Sequence, residues 1–230
     1  MAQPTPTGLM AFWSDIDPAY EQRFLEWHNC EHMPERVSVP GFREGRRYHG
    51  MDGAPAYLMM YFTDTADILQ SAPYVARLND PTPWTQESLT HFRNASRNVY
   101  DLVGILGEGG LVAAPYIVSI RFDIAEAASQ PTLEAIENRL LPGWAKLDGV
   151  GRVRFYAINP RISGIETAER SIYGGGPGAQ RYLLLVECTL SDTADGEEWQ
   201  AAWTDATENG NAVAHVVKES SWIDYALADS

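Results

Sequence analysis

Short apolar runs and amphipathic stretches follow one another in the same order in both halves of the chain. In the first half, apolar or alternating runs predict strands at 8–14, 43–49, 56–63 and 96–103. Stretches with helical spacing predict helices at 18–33, 65–72 and 84–93, and a turn is expected at 52–55. In the second half, strands are predicted at 116–123, 149–159, 180–190 and within 212–225, with helices at 132–140 and 196–206. Each half therefore has the order β-α-β-β-α-β.

The two halves also match over four short stretches, which indicates an internal repeat of about a hundred residues. The matched stretches are 8–12 with 116–120, 40–42 with 148–150, 46–48 with 154–156, and 56–60 with 181–185. The repeated order is the split β-α-β unit of a ferredoxin-like fold. One such unit covers one face of its sheet with helices, so the other face has to be buried elsewhere. The sequence thus predicts an α+β protein: two ferredoxin-like units in tandem, 1–108 and 109–230, packed sheet to sheet as a pseudo-dimeric barrel.

A polar, Gly-rich segment at 160–179 separates two predicted strands of the second half. It lacks the lysine and the strand-to-helix setting of a phosphate-binding loop. We expect its glycine-rich run at 174–178 to be a mobile loop over an opening of the barrel.

The first predicted helix carries polar residues on a face that its neighbours mark as buried. At ~100° per residue, His28 and Glu31 fall within the same third of the helix as Tyr20, Phe24 and Trp27. A buried imidazole and a buried carboxylate need hydrogen-bond partners or a cavity. The end of this helix is therefore the candidate functional site.

Three interpretations of His28, Glu31 and His32 stay open at this point. One is general acid–base catalysis, in which a histidine moves a proton and Glu31 orients the imidazole or raises its pKa. Another is a metal site, because His-x-x-Glu-His matches the pattern of inverted zinc peptidases. The third is a structural helix end, where His32 interacts with the last carbonyl groups and Glu31 is solvated.

Composition and charge narrow the possible partners and the compartment. The formal net charge of −14 argues against nucleic acid and anionic membranes, since both bind clustered Lys and Arg. No apolar run approaches ~18 residues, so no membrane span is expected. The two cysteines, Cys30 and Cys188, provide neither a disulfide framework nor a four-ligand zinc site. A reducing, cytoplasmic location is expected.

Two neighbouring motifs carry a resemblance to a known superfamily. Trp-His-x-x-Glu-His-x-Pro at 27–34 is followed by Val-Pro-Gly-Phe-x-x-x-Arg-x-Tyr at 39–48. Together they resemble the dimeric α+β barrel superfamily, and most of all its EthD-like and stress-responsive families. The resemblance implies a cavity between sheet and helices for a small apolar or aromatic molecule, with His32 in the pocket, and it is compatible with a homodimer.

The superfamily includes cofactor-free isomerases, polyketide cyclases, lyases and monooxygenases as well as haem-binding and haem-degrading enzymes, so the fold alone does not decide the function. The matching helix end of the second half, at 138–142, contains neither histidine. One working site is therefore expected, in the first unit, with a degenerate counterpart in the second.

The second predicted strand supplies candidate substrate-binding residues. Alternation puts Arg46 and Tyr48 on one face of the strand and Arg47 and His49 on the other. An arginine that faces the cavity would hold a carboxylate or a phenolate. Because Arg-x-Tyr recurs at 154–156, a shared structural role for Arg46 is equally open.

Aromatic side chains, Trp13 and Tyr61 among them, are expected to line the cavity or to form ordinary core. The expected function is a cofactor-independent isomerase, cyclase, dehydratase or lyase that acts on a small hydrophobic or aromatic molecule. A histidine of the motif would move the proton, and Arg46, Tyr48 or Tyr61 would bind the substrate's oxygens. The alternatives are a haem protein with a histidine as axial ligand, and a non-catalytic ligand-binding barrel.

Overall fold

A computed structural model describes residues 4–51, 53, 55–208 and 210–229. Within this range the chain forms two compact units. The first unit contains the described residues up to Asp101 together with 159–178 and 224–229, and the second contains 102–158 and 179–223 with the same gaps. Asp52 and Ala54 of the expected turn lie outside the described residues. No helix in the described ranges is both long and apolar enough to cross a membrane.

The strands that begin in the first unit are β1 (Gly8–Ile16), β2 (Phe42–Gly50), β3 (Tyr57–Thr63) and β4 (Phe92–Gly107). Helix α1 follows a 3-10 turn at Pro18–Tyr20 and has three consecutive parts: Glu21–Trp27, a π-helical turn at His28–His32, and Met33–Val37. The remaining helical segments before β4 are a 3-10 turn at Ala66–Gln70, α2 (Ala72–Asn79) and α3 (Pro83–Leu89).

The later part of the chain repeats this order with one added segment. Its strands are β5 (Tyr116–Ile124), β6 (Val150–Ile158), β7 (Tyr182–Cys188) and β8 (Val213–Ala228). Helix α4 again has three parts: Ser129–Ala135, a π-helical turn at Ile136–Leu140, and Leu141–Trp144. The other helices are α5 (Pro160–Ser163), α6 (Ala168–Tyr173) and α7 (Glu197–Ala206), with 3-10 turns at Glu126–Ala128 and Thr193–Asp195.

In the first unit, β1 lies between β3 and β4, and β2 pairs with the other edge of β3; all of these pairs are antiparallel. The β1–β3 register places Met10 opposite Tyr61 and Phe12 opposite Met59. Because side chains alternate along a strand, these four share one face of the sheet. They belong to one apolar cluster that also contains Phe24 and other residues of the helices. The helix-covered face of this sheet is therefore the place where α1 and the strands meet.

In the second unit, β5 lies between β7 and β8, and β6 pairs with β7, again antiparallel. Val118 lies opposite Val186, which corresponds to the β1–β3 register. The turns before β2 and β6 also agree, because Gly41 and Gly149 have φ values of 92° and 87°. That backbone conformation suits glycine, which has no Cβ to clash. The predicted α+β class is confirmed, and the strands of this unit pair antiparallel.

The segment 160–179 contains two short helices, which its composition did not predict, and the glycine-rich run at 174–178 that follows them is irregular apart from one bridge between Gly176 and Ser96. The side chains of Asn159 and Thr167 cap α5 and α6 by accepting hydrogen bonds from the backbone N–H groups of Ile162 and Arg170. Ile162 is fully buried in the apolar cluster of the first unit. The segment therefore packs with the first unit, although residues 102–158 separate it from that unit in the sequence. It supplies part of the interior of the first unit.

Candidate active site

Helix α1 presents three polar side chains at intervals of four residues. His28, His32 and Arg36 are all buried, with exposed fractions of 0%, 9% and 1%. They follow Phe24 and Trp27, which are fully buried in the same helix. The buried face of α1 is thus apolar at its start and polar towards its end. The burial of His28 agrees with the prediction.

The π-helical turn explains why the helix passes Pro34, where the sequence predicts its end. The backbone N–H of Met33 donates to the carbonyl of His28, five residues earlier. A π turn is wider than an α turn, and such turns are frequent at functional sites. The helix then continues to Val37. The extra width also changes which side chains share a face, and Glu31 leaves the buried side.

The sheet, the helices and the segment 160–178 of the first unit line a cavity of about 550 Å³, a volume that includes the part open to solvent. Much of its wall is apolar: Met10, Phe12, Met59, Leu78, Leu89 and Phe92. Its polar wall includes His28, His32, Arg36, Tyr61, Arg97 and Glu169. A concave site with apolar walls and a few convergent polar groups is typical of a small-molecule pocket.

Arg47 of β2 connects this row to the strands through a chain of hydrogen bonds. Its Nη1 donates to Nδ1 of His28 at 3.1 Å and to Oδ1 of Asn29 at 2.8 Å, and its Nε donates to Oδ2 of Asp224 at 2.6 Å. On the other side of the ring, Nε2 of His28 lies 3.3 Å from the hydroxyl oxygen of Tyr61. The chain therefore runs from Asp224 through Arg47 and His28 to Tyr61, at the cavity.

The direction of these bonds fixes the state of His28. A guanidinium can only donate, so Nδ1 of His28 carries a lone pair, and the neutral ring holds its proton on Nε2. That N–H donates to the oxygen of Tyr61, which leaves the Tyr61 hydroxyl hydrogen available to a molecule in the cavity. Burial, followed by the charges of Arg47 and Arg36, lowers the pKa of His28 well below its usual value. Burial raises the pKa of Tyr61, so its hydroxyl stays protonated.

His32 is the less constrained imidazole. Its ring packs against the Trp27 ring, with centroids 4.3 Å apart. Its Nδ1 is buried and has no hydrogen-bond partner among the described residues. Burial, followed by the charges of Arg36 and His28, lowers the pKa of His32 well below its usual value. At neutral pH, His32 is therefore a neutral imidazole with an uncommitted nitrogen.

The third polar element is an ion pair between Arg36 and Glu169, formed by Nη2 of the arginine and Oε1 of the carboxylate. Both side chains are buried, and both line the cavity. Burial raises the pKa of Glu169, and the charge of Arg36 opposes that rise. The guanidinium of Arg36 also lies over the Tyr74 ring, 5.7 Å from its centroid. The segment 160–179 therefore contributes a carboxylate that no pattern in the sequence places near α1.

Glu31 lies away from the cavity and from the imidazoles. Its Oε1 accepts hydrogen bonds from the hydroxyls of Thr82 at 2.5 Å and Thr85 at 3.1 Å. The Thr85 hydroxyl oxygen in turn accepts from Nε1 of Trp27 at 3.1 Å. Thr82 is the N-cap of α3. Glu31 thus ties α1 to the start of α3, and its predicted role beside a histidine has no contact to support it.

Three other predicted residues, Trp13, Arg46 and Tyr48, are buried but do not line this cavity. Arg46 instead donates to Glu44 at 2.8 Å and to the Tyr48 hydroxyl at 3.3 Å. Trp13 follows Phe12 on β1 and therefore points to the opposite face of the sheet. Their predicted role in substrate binding stays a prediction that this cavity does not support.

The side of β2 that faces α1 depends on a β-bulge. Strict alternation from the buried Phe42 would put Arg46 on the same face of β2 as Phe42. The register with β3, however, shifts by one residue between Phe42 and Glu44. Arg47 therefore takes the face beside His28. The predicted alternation, with Arg46 and Arg47 on opposite faces, agrees with the register, but the sequence selected Arg46 as the residue of the cavity side. The bulge, which leaves little trace in the sequence, puts Arg47 there instead. Glu169 was also missed, because a carboxylate in a polar insertion gives no signal of burial.

The corresponding positions in the second unit carry apolar residues. The stretch that matches α1 puts Ile136, Leu140 and Trp144 at the places of the two histidines and Arg36, and the matched strands put Phe155 and Val186 at those of Arg47 and Tyr61. All five are buried in one apolar cluster. The polar row of the first unit is thus replaced by hydrocarbon and aromatic packing.

The metal interpretation of His-x-x-Glu-His finds no support in the geometry. Among the residues that the structure describes, no three His, Cys, Asp or Glu side chains are grouped so that they could hold a metal ion. The π turn separates Glu31 from both imidazoles, and its oxygen is bound to threonine hydroxyls.

Comparison with known proteins gives the fold. No family model matches the sequence, and no curated protein matches it. Among solved structures, an anthrone oxidase-like protein is similar with a TM-score of 0.67 and 10% identity, over 98% of this chain and 94% of that one. A monooxygenase-like protein from Lactobacillus acidophilus NCFM gives 0.62 and 7%, over 98% and 97%. A mutant chlorite dismutase from Candidatus Nitrospira defluvii, in complex with cyanide, gives 0.58 and 10%, over 97% and 92%.

These similarities span nearly the whole chain and show that it has the fold of α+β barrel proteins, in agreement with the superfamily that the sequence resembles. At 7–10% identity they establish the fold alone.

Proposed function

We propose that this protein is a cofactor-independent enzyme that transfers a proton on a small aromatic molecule with an enolisable carbonyl group. One observation supports the proposal: His32 and Tyr61 line the same cavity. His32 is a neutral imidazole whose Nδ1 has no hydrogen-bond partner among the described residues, and the Tyr61 hydroxyl is held by His28. The name of one similar structure, anthrone oxidase-like, supports an aromatic substrate, since an anthrone is a polycyclic aromatic ketone.

The proposed reaction begins when the Tyr61 hydroxyl donates a hydrogen bond to the carbonyl oxygen of the substrate. His32 then removes a proton from a carbon conjugated with that carbonyl, either directly adjacent to it or, as at the methylene carbon of anthrone, joined to it through the aromatic rings. The developing enolate oxygen is stabilised by the Tyr61 donor. Return of the proton to a different carbon completes an isomerisation, and loss of a leaving group from the enolate completes a lyase or dehydratase reaction. The apolar wall excludes water and strengthens these interactions.

His28 acts in this scheme as a positioning residue. Both of its nitrogens are committed, Nδ1 to Arg47 and Nε2 to Tyr61, so it has no free lone pair for a substrate proton. Its contribution is to hold the oxygen of Tyr61 and so direct the hydroxyl hydrogen to the cavity. Arg47 and Asp224 fix the ring of His28 in turn.

We also propose that the two units are fused ferredoxin-like repeats of an EthD-like or stress-responsive type, with a single working site in the first. The matching strand registers, the paired π turns and the shared glycine turns support a common origin. Replacement of both histidines, Arg36, Arg47 and Tyr61 by apolar residues in the second unit supports the loss of its site.

Haem is the alternative that the superfamily raises, and the two imidazoles do not fit it. A histidine that ligates a metal almost always donates its other ring N–H to a carbonyl, a carboxylate or water. Nδ1 of His28 faces the guanidinium of Arg47, which cannot accept, and Nδ1 of His32 has no partner among the described residues. A Soret band after haem titration would contradict a site in which neither imidazole is a haem ligand.

The test uses anthrone as a probe in anaerobic D2O buffer near neutral pD. We expect the wild-type protein to accelerate deuterium incorporation at the methylene carbon over the rate in buffer, measured by mass spectrometry. His32→Gln should lower the enzymatic rate by about 10²–10⁴-fold. Tyr61→Phe should lower it by about 10²–10³-fold.

The control variant is His215→Asn, because this histidine lies in the second unit and its side chain is largely exposed. It should leave the exchange rate unchanged. Binding of anthrone without any exchange above buffer would favour the non-catalytic ligand-binding alternative and refute the proposal. Oxygen consumption in an aerobic repeat would identify a monooxygenase-like outcome for the same enolate.

A further inference from the structure

The charge of the cavity differs in sign from that of the whole chain. Its wall carries three guanidinium groups, from Arg36, Arg97 and Arg170, and one carboxylate, from Glu169. The histidines in the wall are neutral, as argued above. The chain as a whole has a formal net charge of −14. A positive interior in an acidic protein is an electrostatic preference for an anion.

Two of the three guanidinium groups are already engaged. Arg36 is paired with Glu169. Arg170 donates to the backbone carbonyl oxygens of Ile165 at 3.2 Å and Gly175 at 3.1 Å, and it lies 3.2 Å from a carboxylate oxygen of Glu166. These contacts hold the segment 160–179 and give each of the two charges a carboxylate partner.

Arg97 of β4 is different, because it lies in the cavity wall without a carboxylate at salt-bridge distance among the described residues. Burial lowers the pKa of its guanidinium, and the neighbouring Tyr74, Tyr173 and Glu169 raise it. A guanidinium remains charged in proteins, and a charge removed from water without a close counter-ion is costly. A neutral hydroxyl compensates only part of that cost.

Aromatic rings stand next to this charge. The Phe12 ring contacts the Phe92 ring edge-on at 5.6 Å and the Tyr173 ring at 5.1 Å between centroids. All three residues line the cavity together with Arg97. A planar ring can therefore pack against them while a group attached to it reaches the guanidinium.

We propose that the substrate of this site is an aromatic carboxylate, whose ring packs against Phe12, Phe92 and Tyr173 and whose carboxylate is bound by Arg97. The arginine fork matches a carboxylate in a bidentate pair, which is stronger and more specific than a neutral hydrogen bond. The inference rests on the proposed function insofar as it assigns the ligand of the same cavity. It makes Arg97 the specificity-determining residue, distinct from His32 and Tyr61.

The test compares two isosteric probes, 2-naphthoate and 2-naphthamide, by isothermal titration calorimetry near neutral pH. The wild-type protein should bind the carboxylate at least about tenfold more tightly than the amide, a difference of about 1.4 kcal/mol. Arg97→Met should remove this preference and change the affinity for the amide little. Arg97→Lys should keep part of the preference, because it retains the charge and loses the fork.

The matched control is Arg93→Met, which removes an arginine from the same strand that is exposed and paired with Asp17. This variant should keep the wild-type preference. Circular dichroism checks that each variant is folded, and Arg97→Gln replaces Arg97→Met if the latter is not. The proposal is overturned if the wild-type protein binds both probes equally or binds neither, or if the Arg97 variants keep the full preference.

Failure of this inference and failure of the proposed function give different results. The preference is an equilibrium property, so His32→Gln should retain it while losing the exchange reaction with anthrone. A carboxylate preference without any exchange activity would refute only the enzymatic proposal. Exchange activity with no carboxylate preference would refute only the assignment of the ligand.

Discussion

Acidification should destabilise this protein through the two buried imidazoles, which have to stay neutral in the folded state. Burial and neighbouring charges lower the pKa of both His28 and His32 well below the usual value. In the unfolded chain the same groups titrate near the ordinary value of about 6.5. Below that pH, the unfolded chain therefore binds protons that the native protein does not. The free energy of unfolding is then highest above about pH 6.5 and falls as the pH is lowered.

The slope follows from proton linkage. Each proton bound only by the unfolded state lowers the free energy of unfolding by about 1.4 kcal/mol per pH unit. With two such histidines, the slope approaches about 2.7 kcal/mol per pH unit for as long as both stay neutral in the native protein. Because a typical domain has about 5–15 kcal/mol of stability, one or two units of acidification remove a large part of it.

The assay is urea unfolding at a series of pH values between neutrality and about pH 5, for the wild-type protein and two variants. His28→Asn keeps an acceptor near the Arg47 guanidinium but cannot titrate. Its stability at neutral pH should be lower, and its dependence on pH should be shallower by about 1.4 kcal/mol per unit. His215→Asn is the control, because that side chain is 70% exposed and its φ of 52° suits asparagine. A His28→Asn slope equal to that of the wild-type protein would refute the reasoning.

Three further substitutions test other contacts of the site by urea unfolding. Arg36→Met leaves the buried Glu169 carboxylate without its partner and should lower the free energy of unfolding by about 3–5 kcal/mol. Adding Glu169→Gln should recover part of this loss, and equal losses in the single and double variants would contradict the ion pair. Arg47→Lys keeps a charge but cannot make all of the arginine's hydrogen bonds, so a loss of about 1–3 kcal/mol is expected, and an unchanged midpoint would argue against the network. Thr82→Ala removes both the N-cap of α3 and a donor to Glu31, and it should lower the free energy of unfolding by about 0.5–2 kcal/mol or more. An unchanged free energy of unfolding would show that the contact between Thr82 and Glu31 does not stabilise the protein.

Much of the fold could be predicted from the local periodicity of the sequence. Seven consecutive buried residues form β3, and the apolar run at 56–63 predicts that strand to within one residue. The helix face marked by Phe24 and Trp27 correctly predicts the burial of His28. These features depend on residues within one or two turns of each other, which a sequence displays directly.

The composition of the site was accessible only in part. His28, His32 and Tyr61 line the cavity, as the sequence suggests, whereas Glu31 binds threonine hydroxyls of a different helix. A π turn of one extra residue decides this difference, and a count at ideal α-helical spacing misses it. The helix also passes Pro34, which sequence reasoning treats as a stop.

The sequence by itself determined the α+β class, the order of the strands, the burial of the first helix and the location of a polar cluster at its end, because each follows from short-range patterns. The tertiary structure alone decided the partners of that cluster. Arg47 reaches His28 because of a bulge in β2, and Glu169 reaches Arg36 from an insertion that follows it by more than a hundred residues. Such contacts are set by strand register and by packing between distant segments, for which local periodicity carries no information.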